Sequence, residues 1–395
     1  LKTSKKQFLL WTSSFQPVIG GLQSATFEIG KYLNENNWDV SVITNRYPRT
    51  LKSYETISGL RVNRYIFLTN PFHYFRSGRI DLFFAWFLFK PVTLIKLIIK
   101  FIRFKPKVVN LHFPDHQLLE CYLLMLLFRF KLIISLHGDE VERMRTLSKR
   151  SIKYYLYNKL FTSAVNITGC SKYLINKLKN IYPDIDSEKY MYLYNGVNKH
   201  FIDQHISKLK NNVIFAAGRF EPIKGFDLLI DAFNSQHDLQ LFIAGGEKRE
   251  LLNLGLEIKK GISIIGKLSA KEIAAHMSES KITVIPSRMD SYGIAVAEAL
   301  CCGSPVVATN VGGIPELLKL AVKGMSIDEK SIFHEWVKLV EPNVSSIKNG
   351  IDTIINNRNS IRKYLLLIPK IRSQFHWHLR LNKYQSVIKS EISFC

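Results

Sequence analysis

Short apolar runs rich in β-branched residues alternate with amphipathic helical segments along this chain, and the alternation starts twice. The first series contains the runs QFLLWTS, WDVSVITN, PKVVNLHF and KLIISLHG, and the second begins at NNVIFAAGRF and continues to SPVVATN. Strands that are separated by helices pair in parallel, because a parallel connection needs a crossover segment. The chain has 395 residues, which is enough for two domains. The pattern therefore predicts an α/β fold with two βα domains that join near residues 196–212.

The positive charge of the chain is unevenly distributed. The formal net charge is +23; residues 1–200 contain 30 lysines and arginines against 13 acidic residues, and residues 201–395 contain 25 against 19. A basic domain indicates a polyanionic neighbour, either nucleic acid or an anionic membrane surface. Solvated lysines without a partner are the alternative. Because no RNP, zinc-finger or helix-turn-helix signature accompanies the charge, we expect no nucleic acid partner.

The stretch of residues 82–104, LFFAWFLFKPVTLIKLIIKFIRF, is strongly apolar but is interrupted by charges. Lys96, Lys100 and Arg103 lie at i, i+4 and i+7, which places them in a stripe along a helix. A spanning helix has few or no charges over about 18–20 residues. We therefore favour a helix that lies in the interface of an anionic membrane; a core helix whose lysines reach water is the alternative. The apolar stretch 118–134 is interpreted as a buried helix that runs into a strand.

Cysteine usage and the N-terminal segment indicate the compartment. The five cysteines form no CxxC pair, and LKTSKKQFLLWTSSFQP contains no apolar run long enough for a signal peptide. Both observations favour a reducing compartment without disulfides or structural zinc. Together with the basic first half, they predict a cytoplasmic protein that associates peripherally with the inner face of the cell membrane.

The segment PSRMDSYGIAVAEALCCGSPVVATNVGGIPELL, residues 286–318, places two carboxylates, Asp290 and Glu298, eight positions apart. A buried strand, KITVIPS, precedes it, and a helix is predicted to begin near Gly293. A helix N-terminus at the carboxyl end of a parallel strand is a phosphate site. Carboxylates do not bind phosphate, but they accept hydrogen bonds from pairs of sugar hydroxyls. A phosphate flanked by hydroxyl-bearing rings describes a nucleotide sugar.

A second motif, GRFEPIKG, supplies two cations at the end of the second domain's first predicted strand, NNVIFAA, and at the start of the helix that follows. Arg219 and Lys224 are five positions apart across a turn, so both can converge on one diphosphate. They would neutralise the charge that develops on a departing nucleoside diphosphate. No residue is a strong candidate for a covalent nucleophile, so we expect the protein to supply orientation and charge stabilisation.

The order and spacing of these motifs resemble the retaining glycosyltransferases of family 4 (glycosyl transferases group 1), which have the GT-B fold of two facing Rossmann-like domains with a cleft between them. The pattern of that family is matched at Gly218, Arg219, Lys224, Gly225, Pro286, Ser287, Gly293, Glu298, Ala299, Gly303, Pro305, Val306, Val307, Gly312, Gly313, Pro315 and Glu316. Weaker matches lie at Pro17, Gly20, Gly21, His137, Ser171 and Asn195–Val197. The resemblance implies an acceptor-side domain over 1–200 and a donor-binding domain over 201–375. FHW at 375–377 resembles the start of the family's closing helix, which implies that 376–395 crosses back to the first domain.

The resemblance also assigns roles to residues of the second domain. Glu298 would hold the ribose hydroxyls, Asp290 would contact the donor sugar, and Arg219 and Lys224 would bind the diphosphate. Backbone N–H groups of Gly293, Ile294 and Ala295 would face phosphate, Gly218 would lie beside them, and the loop containing Lys267 and Leu268 would contact the donor. The family has glutamate where this chain has Asp290, whose oxygens lie about 1.5 Å further back. The alternatives are an Asx-type turn cap for Asp290 and a favourable helix-dipole contact for Glu298.

In the first domain the resemblance implies that His137 faces the transferred sugar; a hydrogen-bonded loop histidine is the alternative. Gly20 and Gly21 would allow the backbone to approach the donor. His112 and His116, in NLHFPDH, are candidates for the acceptor side. These two histidines and Asp115 lack a further ligand, and the family needs no metal, so we expect neither a metal nor another cofactor.

The sequence therefore predicts a retaining hexosyltransferase that uses a UDP- or GDP-linked sugar as co-substrate. The basic first half favours a saccharide acceptor linked to a lipid such as polyprenyl diphosphate, as in polysaccharide or lipopolysaccharide biosynthesis. A sugar-nucleotide 2-epimerase of the same fold, a soluble glycosyltransferase and a non-catalytic partner are the alternatives.

Overall fold

The computed structural model describes residues 5–18, 20–68, 71–207, 210–233 and 238–393. The chain divides into two compact units: unit 1 comprises Leu1–Tyr194 and Leu381–Cys395, and unit 2 comprises Asn195–Arg380. The divisions therefore lie at 194/195 and 380/381 rather than at 200/201 and 375/376. The first division comes earlier because the last strand of unit 1 ends at Tyr192.

Unit 1 is built on a largely parallel sheet. Its strands are β1 (Lys6–Thr12), β2 (Trp38–Asn45), β3 (Tyr54–Ile57), β4 (Leu60–Tyr65), β5 (Val108–His112), β6 (Lys131–Leu136), β7 (Asn166–Gly169) and β8 (Tyr190–Tyr192). The helices are α1 (Gly21–Glu35), α2 (Pro71–Arg76), α3 (Ile80–Phe104), α4 (Leu118–Leu127), α5 (Asp139–Arg145), α6 (Ile152–Ser163) and α7 (Lys172–Ile181), with a 3-10 turn at Ser187–Lys189. Within the described residues the strand order is β3-β4-β2-β1-β5-β6-β7-β8. All neighbours pair in parallel except β3 with β4, which form a hairpin that the sequence patterns did not indicate.

Unit 2 repeats the architecture with an entirely parallel sheet. Its strands are β9 (Asn211–Ala217), β10 (Gln240–Ala244), β11 (Ile262–Ile264), β12 (Ser280–Ile285), β13 (Val306–Thr309) and β14 (Val337–Val340). Its helices are α8 (Lys199–Ile202), α9 (Phe226–Ala232), α10 (Lys248–Leu252), α11 (Ala270–Glu279), α12 (Ile294–Cys301), α13 (Ile314–Ala321), α14 (Ile327–Trp336), α15 (Val344–Ile355), α16 (Ile361–Leu365) and α17 (Ile368–Phe375), with a 3-10 turn at Pro222–Lys224. In the described part of the unit the strands are ordered β11-β10-β9-β12-β13-β14. A last helix, α18 (Trp377–Ser393), begins in unit 2 and continues into unit 1.

Both sheets change direction at their centre. In unit 1 the chain builds outward from β1 to β4 and then returns to place β5 beside β1, and in unit 2 it returns to place β12 beside β9. The loops at the carboxyl ends of two such neighbouring strands lead away in opposite directions and leave a crevice, where open α/β sheets bind their ligands. The predicted donor motifs follow β9 and β12, so the fold brings them to the crevice of unit 2.

Helix α3 contacts unit 1 along one side. Its buried residues are Lys90, Thr93, Leu97, Phe101 and Phe104. The opposite side is also apolar but faces outward, with exposed Phe84, Leu88, Val92, Ile95, Ile99 and Ile102 at helical spacing. The helix is long and apolar enough to cross a membrane by length and composition. Only 17% of its apolar 18-residue window is buried in the protein, which is unlike a core helix. A core helix would be covered on both sides. The core-helix interpretation of residues 82–104 therefore fits only the face that packs on unit 1.

The second apolar stretch, 118–134, forms helix α4 and then strand β6. The helix is buried at Leu118, Cys121 and Leu124, but Leu126 and Leu127 are 63% and 61% exposed. The helix runs into a strand as predicted, but the prediction of a buried helix is wrong at its C-terminal end, because α4 packs on unit 1 through one face only.

Candidate active site

The crevice of unit 2 is lined by backbone that glycine keeps open. Gly225, with φ +67°, lies so close to β12 that a Cβ would stand 2.1 Å from the carbonyl oxygen of Pro286. Gly312 has φ +57°, and its Cβ would stand 1.8 Å from the carbonyl oxygen of Asp290. The N–H of Gly313 donates to that same carbonyl at 2.9 Å. The double glycine of the VGGIPE motif therefore fixes the position of the loop that carries Asp290.

Asp290 is held by three polar contacts. Its Oδ1 accepts hydrogen bonds from the backbone N–H of Gly293 at 2.7 Å and of Tyr292 at 3.2 Å. Its Oδ2 accepts a hydrogen bond from Lys224 Nζ at 3.0 Å, and the two side chains are only 15% and 26% exposed. These contacts form the Asx-type turn that was the alternative to a sugar contact. They also fix Lys224, whose ammonium carries three donors and can bind a phosphate as well.

Glu298 lies one turn inside α12 and behaves differently from Asp290. Within the part of the chain that the structure describes, its carboxyl group has no hydrogen-bond or ion-pair partner. Burial, and secondly the nearby Asp290 carboxylate, raise the pKa of Glu298 to about 8. A carboxyl that is withdrawn from water without a protein partner is destabilised, and hydroxyl groups of a ligand would relieve it. Glu298 is therefore the side chain of this crevice that is best suited to bind a ribose.

The remaining predicted donor residues lie on more exposed loops. Arg219 follows β9, and its Nη1 donates to Glu221 Oε1 at 2.8 Å while the side chain is 63% exposed. Gly218 is anchored to β10 through its N–H, which donates to the carbonyl of Ala244 at 3.0 Å. Lys267 lies in the loop after β11 with Nζ 3.7 Å from Glu250, and Leu268 beside it is half-buried. Gly293 has φ +87° and precedes α12, whose first residues are Ile294 and Ala295.

Two histidines meet at the crevice of unit 1. His112 ends β5, His137 follows the neighbouring β6, and His112 Nδ1 lies 3.1 Å from His137 Nε2. Burial, with a smaller contribution from His137, lowers the pKa of His112, and burial lowers the pKa of His137 to about 4. Both imidazoles are therefore neutral near pH 7 and act as hydrogen-bonding groups rather than cations. His112 is fully buried, so it can position His137 but cannot line an acceptor site.

The predicted glycines and the second acceptor-side histidine also belong to unit 1, in loops that follow β1 and β5. Gly20 precedes α1, and Gly21 is its first residue. A Cβ added to Gly21 would meet nothing within 4 Å, so open space rather than crowding surrounds it. His116 lies in the loop after β5 and lines an apolar cavity. The two acceptor-side candidates thus separate, because β5 ends between them and turns the chain.

Sequence reasoning missed the group that fixes the loop of His137. Glu140 is fully buried, and its two carboxylate oxygens accept hydrogen bonds from the backbone N–H of His137 and, at 2.9 Å, of Gly138. Burial raises the pKa of Glu140 to about 7 in spite of these bonds. The signal was an acidic residue in the first turn of the helix after the LHG turn, which the motif LHGDE contains.

A row of buried, hydrogen-bonded polar side chains runs across strands β7, β6 and β5 and ends at α18. Thr168 Oγ1 donates to Ser135 Oγ at 2.8 Å, and Ser135 Oγ donates to Asn110 Oδ1 at 3.0 Å. The amide of Asn110 donates in turn to the hydroxyl of Tyr384, a fully buried residue of α18. Residues 381–393 are thereby anchored inside unit 1. Within the described residues, no group of three potential metal ligands is found.

Two units with mainly parallel sheets, each with polar groups at its central crevice, define a two-domain α/β protein of the kind that binds ligands at its strand ends. Residues 19–201 match the model of Glycosyltransferase Family 4, and residues 198–364 match that of Glycosyl transferases group 1. The chain belongs to this family and has the GT-B fold.

Relatives and a solved structure agree with this assignment. The chain is 30% identical over 238 residues to the uncharacterized glycosyltransferase MJ1178 of Methanocaldococcus jannaschii, a match that covers 59% of this chain and 60% of that relative. It is 25% identical over 394 residues to the uncharacterized glycosyltransferase MJ1607 of the same organism, which covers 91% and 92% of the two chains. The crystal structure of Anabaena HepE in complex with UDP-glucose superposes with a TM-score of 0.70 and 16% identity, covering 97% of this chain and 99% of that one. At that identity the likeness concerns the fold.

Proposed function

We propose that the protein is a retaining hexosyltransferase that moves a sugar from a UDP- or GDP-linked donor to a lipid-linked saccharide, a precursor of cell-surface polysaccharide or lipopolysaccharide. The observation that carries the donor assignment is the pairing of two unlike carboxyls at one crevice. Asp290 is held by Lys224 and two backbone N–H groups, whereas Glu298 is partly buried with a pKa raised to about 8. A cation and a helix N-terminus suit a diphosphate, and the unpartnered acid suits the ribose hydroxyls.

The residues assigned to the diphosphate in unit 2 and to the transferred sugar in unit 1 support a reaction without a covalent intermediate. The acceptor hydroxyl attacks the anomeric carbon on the face from which the diphosphate leaves, the bond from that carbon to the diphosphate oxygen breaks, and the diphosphate accepts the proton. Lys224 and Arg219 stabilise the negative charge of the leaving group. The neutral imidazole of His137 orients the transferred sugar through hydrogen bonds, and Glu140 and His112 hold that imidazole in place.

The outward face of α3 supports the membrane contact that this proposal includes. Phe84, Leu88, Val92, Ile95 and Ile99 present an exposed apolar stripe. Lys96 is exposed along its edge, whereas Lys100 is half-buried with Nζ 4.9 Å from the ring of Phe104. Burial, with a smaller contribution from Arg61, lowers the pKa of Lys100 to about 8. An apolar stripe edged by cations is typical of helices that lie in the headgroup region of anionic bilayers.

The donor assignment is tested by thermal shift with UDP-, GDP- and ADP-sugars, because a ligand that binds the folded state raises the melting temperature. UDP-glucose is the first donor to test, since the HepE structure contains it. The expected result is stabilisation by a UDP- or GDP-sugar and transfer to a saccharide acceptor with the α or β configuration of the donor kept, read by NMR. Release of a sugar epimerised at its second carbon, or inversion, would contradict the proposal.

The membrane assignment is tested by sedimentation with vesicles. We expect binding to vesicles with anionic phospholipid and weaker binding to neutral vesicles. Leu88→Glu with Ile95→Glu should abolish the binding, because each places a charge on the apolar stripe. Ile327→Glu is the control, since Ile327 is 86% exposed on unit 2 and outside α3. Equal sedimentation of both variants with the parent would rule out α3 as the contact.

A further inference from the structure

A second cavity lies in unit 1, apart from the groups assigned to the donor. It has a volume of about 540 Å³, within the range of small-molecule sites. Twelve residues line it, from the segments after β4 and β5 and from α2, α3, α4 and α6. Eight of the twelve are apolar, among them Phe72, Trp86 and Ile152, so the cavity is suited to a hydrocarbon rather than a sugar.

The cationic groups of the cavity fall into two kinds. Lys90 is buried, and its Nζ lies 2.7 Å from Glu120, which is itself buried, so this pair is already neutral. Lys153 lines the cavity, and Arg143 lies beside it without lining it; both are partly exposed and both bind the single buried carboxylate of Asp115, at 2.5 Å and 2.9 Å. Two cations share one anion there, which leaves a net positive charge and several N–H donors fixed beside an apolar cavity.

Exposed apolar residues lie both in the lining of the cavity and next to it on α3. Trp86 lines the cavity, and its neighbours Phe87 and Leu88 on the same helix are 55% and 65% exposed. Phe72 and Ile152, which also line the cavity, are 64% and 78% exposed. Because these lining residues are exposed, the apolar wall of the cavity is accessible from the protein surface, and the cations Lys153 and Arg143 lie beside the same cavity.

The cavity is also close to the predicted acceptor side. Its residues Asp115 and His116 follow His112 after three and four positions at the end of β5. His112 is hydrogen-bonded to His137, the group assigned to the transferred sugar. The loop after β5 thus connects the cavity with the crevice of unit 1.

We propose that this cavity binds the first part of the hydrocarbon chain of a phosphate-bearing lipid acceptor and that Lys153 and Arg143 bind its phosphate. The inference rests on the proposed function in so far as the acceptor is lipid-linked. Apolar walls match the chain, and the fixed cations match the head. An uncharged apolar ligand would not use the cations, and free phosphate would not use the walls.

The test measures binding of geranyl phosphate, farnesyl phosphate, farnesol and inorganic phosphate to the whole protein, followed by the fluorescence of Trp86 and by calorimetry. Each buried methylene is worth about fourfold in affinity. We expect farnesyl phosphate, one isoprene unit longer, to bind at least about tenfold more tightly than geranyl phosphate. Farnesol and inorganic phosphate should bind weakly, and Trp86→Phe should remove most of the fluorescence change. Equal affinity for both prenyl phosphates, or for farnesol, would overturn the proposal.

Two variants and a control separate the walls from the head site. Ile152→Glu adds a charge at the mouth and should reduce prenyl phosphate affinity at least about tenfold, while glutamate is favourable in the first turn of α6. Lys153→Met keeps the apolar stem and should weaken farnesyl phosphate about tenfold without affecting farnesol. Leu127→Glu is the control, because Leu127 is exposed on α4 and does not line the cavity. Equal losses in Ile152→Glu and Leu127→Glu would contradict the assignment.

The outcomes distinguish this inference from the proposed function. Transfer of sugar to a soluble saccharide without prenyl phosphate binding would leave the glycosyltransferase intact and overturn the cavity assignment. Chain-length-dependent binding without any stabilisation by a nucleotide sugar would support the cavity and contradict the donor assignment.

Discussion

Replacing Glu298 by glutamine is expected to make the protein more stable and less able to bind nucleotides. Glutamine keeps the shape of the side chain but cannot ionise. In the folded protein, burial and Asp290 raise the pKa of Glu298 from 4.5 to about 8. A carboxyl whose pKa is raised on folding stabilises the fold most below its unfolded pKa, and this contribution is lost as the pH rises toward the folded pKa. The variant escapes that loss.

The size of the effect follows from the pKa shift. At about 1.4 kcal/mol per pKa unit, the shift corresponds to at most about 5 kcal/mol at high pH. Because the side chain is only partly buried, water screens much of this, and we expect about 1–2 kcal/mol. For a unit of this size that is a rise in melting temperature of about 3–6 °C. The gain should be small at pH 5, grow up to about pH 8 and stay constant above it.

The assay is thermal unfolding of the parent and Glu298→Gln at pH 5, 7 and 9, with and without nucleoside diphosphate. Glu279→Gln, on an exposed glutamate of α11, is the control and should show no trend with pH. At pH 9, where Glu298 is ionised, the nucleotide should stabilise the parent more than Glu298→Gln, because the carboxylate accepts both ribose hydroxyls better than an amide does. A stability gain that does not depend on pH, or undiminished nucleotide binding, would refute the reasoning.

Three further changes test the other assignments. Lys224→Ala should lower turnover about 10²-fold or more by removing a preorganised cation from the leaving group. Lys259→Ala removes a similar lysine, paired at 2.8 Å with Asp231, and should leave turnover unchanged. Equal activity of the two variants would exclude the assignment of Lys224 to the diphosphate. Asp290→Asn should lower nucleotide-sugar turnover but leave free nucleotide binding within about twofold, since Lys224 remains available for phosphate; parallel losses in both assays would contradict this partition. Changing Lys96, Lys100 and Arg103 to glutamine should weaken sedimentation with anionic vesicles by at most about 3 kcal/mol, with a loss that shrinks at high salt. Lys248, Lys319 and Lys323 changed to glutamine are the control, and an equal effect of both triple variants would assign the binding to net charge alone.

The alternation of apolar β-branched runs with amphipathic helical segments predicted two parallel sheets, because the type of each element can be inferred from the local spacing of its apolar residues. WDVSVITN forms β2 over the residues predicted, and the helix predicted near Gly293 begins at Ile294. The motifs that follow β9 and β12 also predicted which residues would meet at the crevice of unit 2. The hairpin of β3 and β4 was not indicated, since β3 has only four residues, YETI, and half of β4, LRVNRY, is arginine or asparagine.

The contacts inside the candidate site required the tertiary structure. The motif named Asp290 and Lys224 but did not show that they pair, or that Asp290 also binds the N–H of Gly293. The sequence separates His112 from His137 by 25 positions, and only the pairing of β5 with β6 brings their rings together. The role of Glu140 depends on the same turn, because a buried carboxylate reaches the N–H groups of His137 only when the chain folds back at the end of β6.

By itself, the sequence determined the alternation of parallel strands with helices, the positions where glycine is needed, and the charge of the first half, because these depend on residue type and spacing along the chain. The tertiary structure alone decided which face of α3 stays exposed and that α2, α3, α4 and α6 leave an apolar cavity beside Asp115 and Lys153. Periodicity shows that a helix has an apolar side, but α3 is apolar nearly all round. Which side is covered depends on the strands and helices that pack against it, and these come from parts of the chain that are distant in sequence.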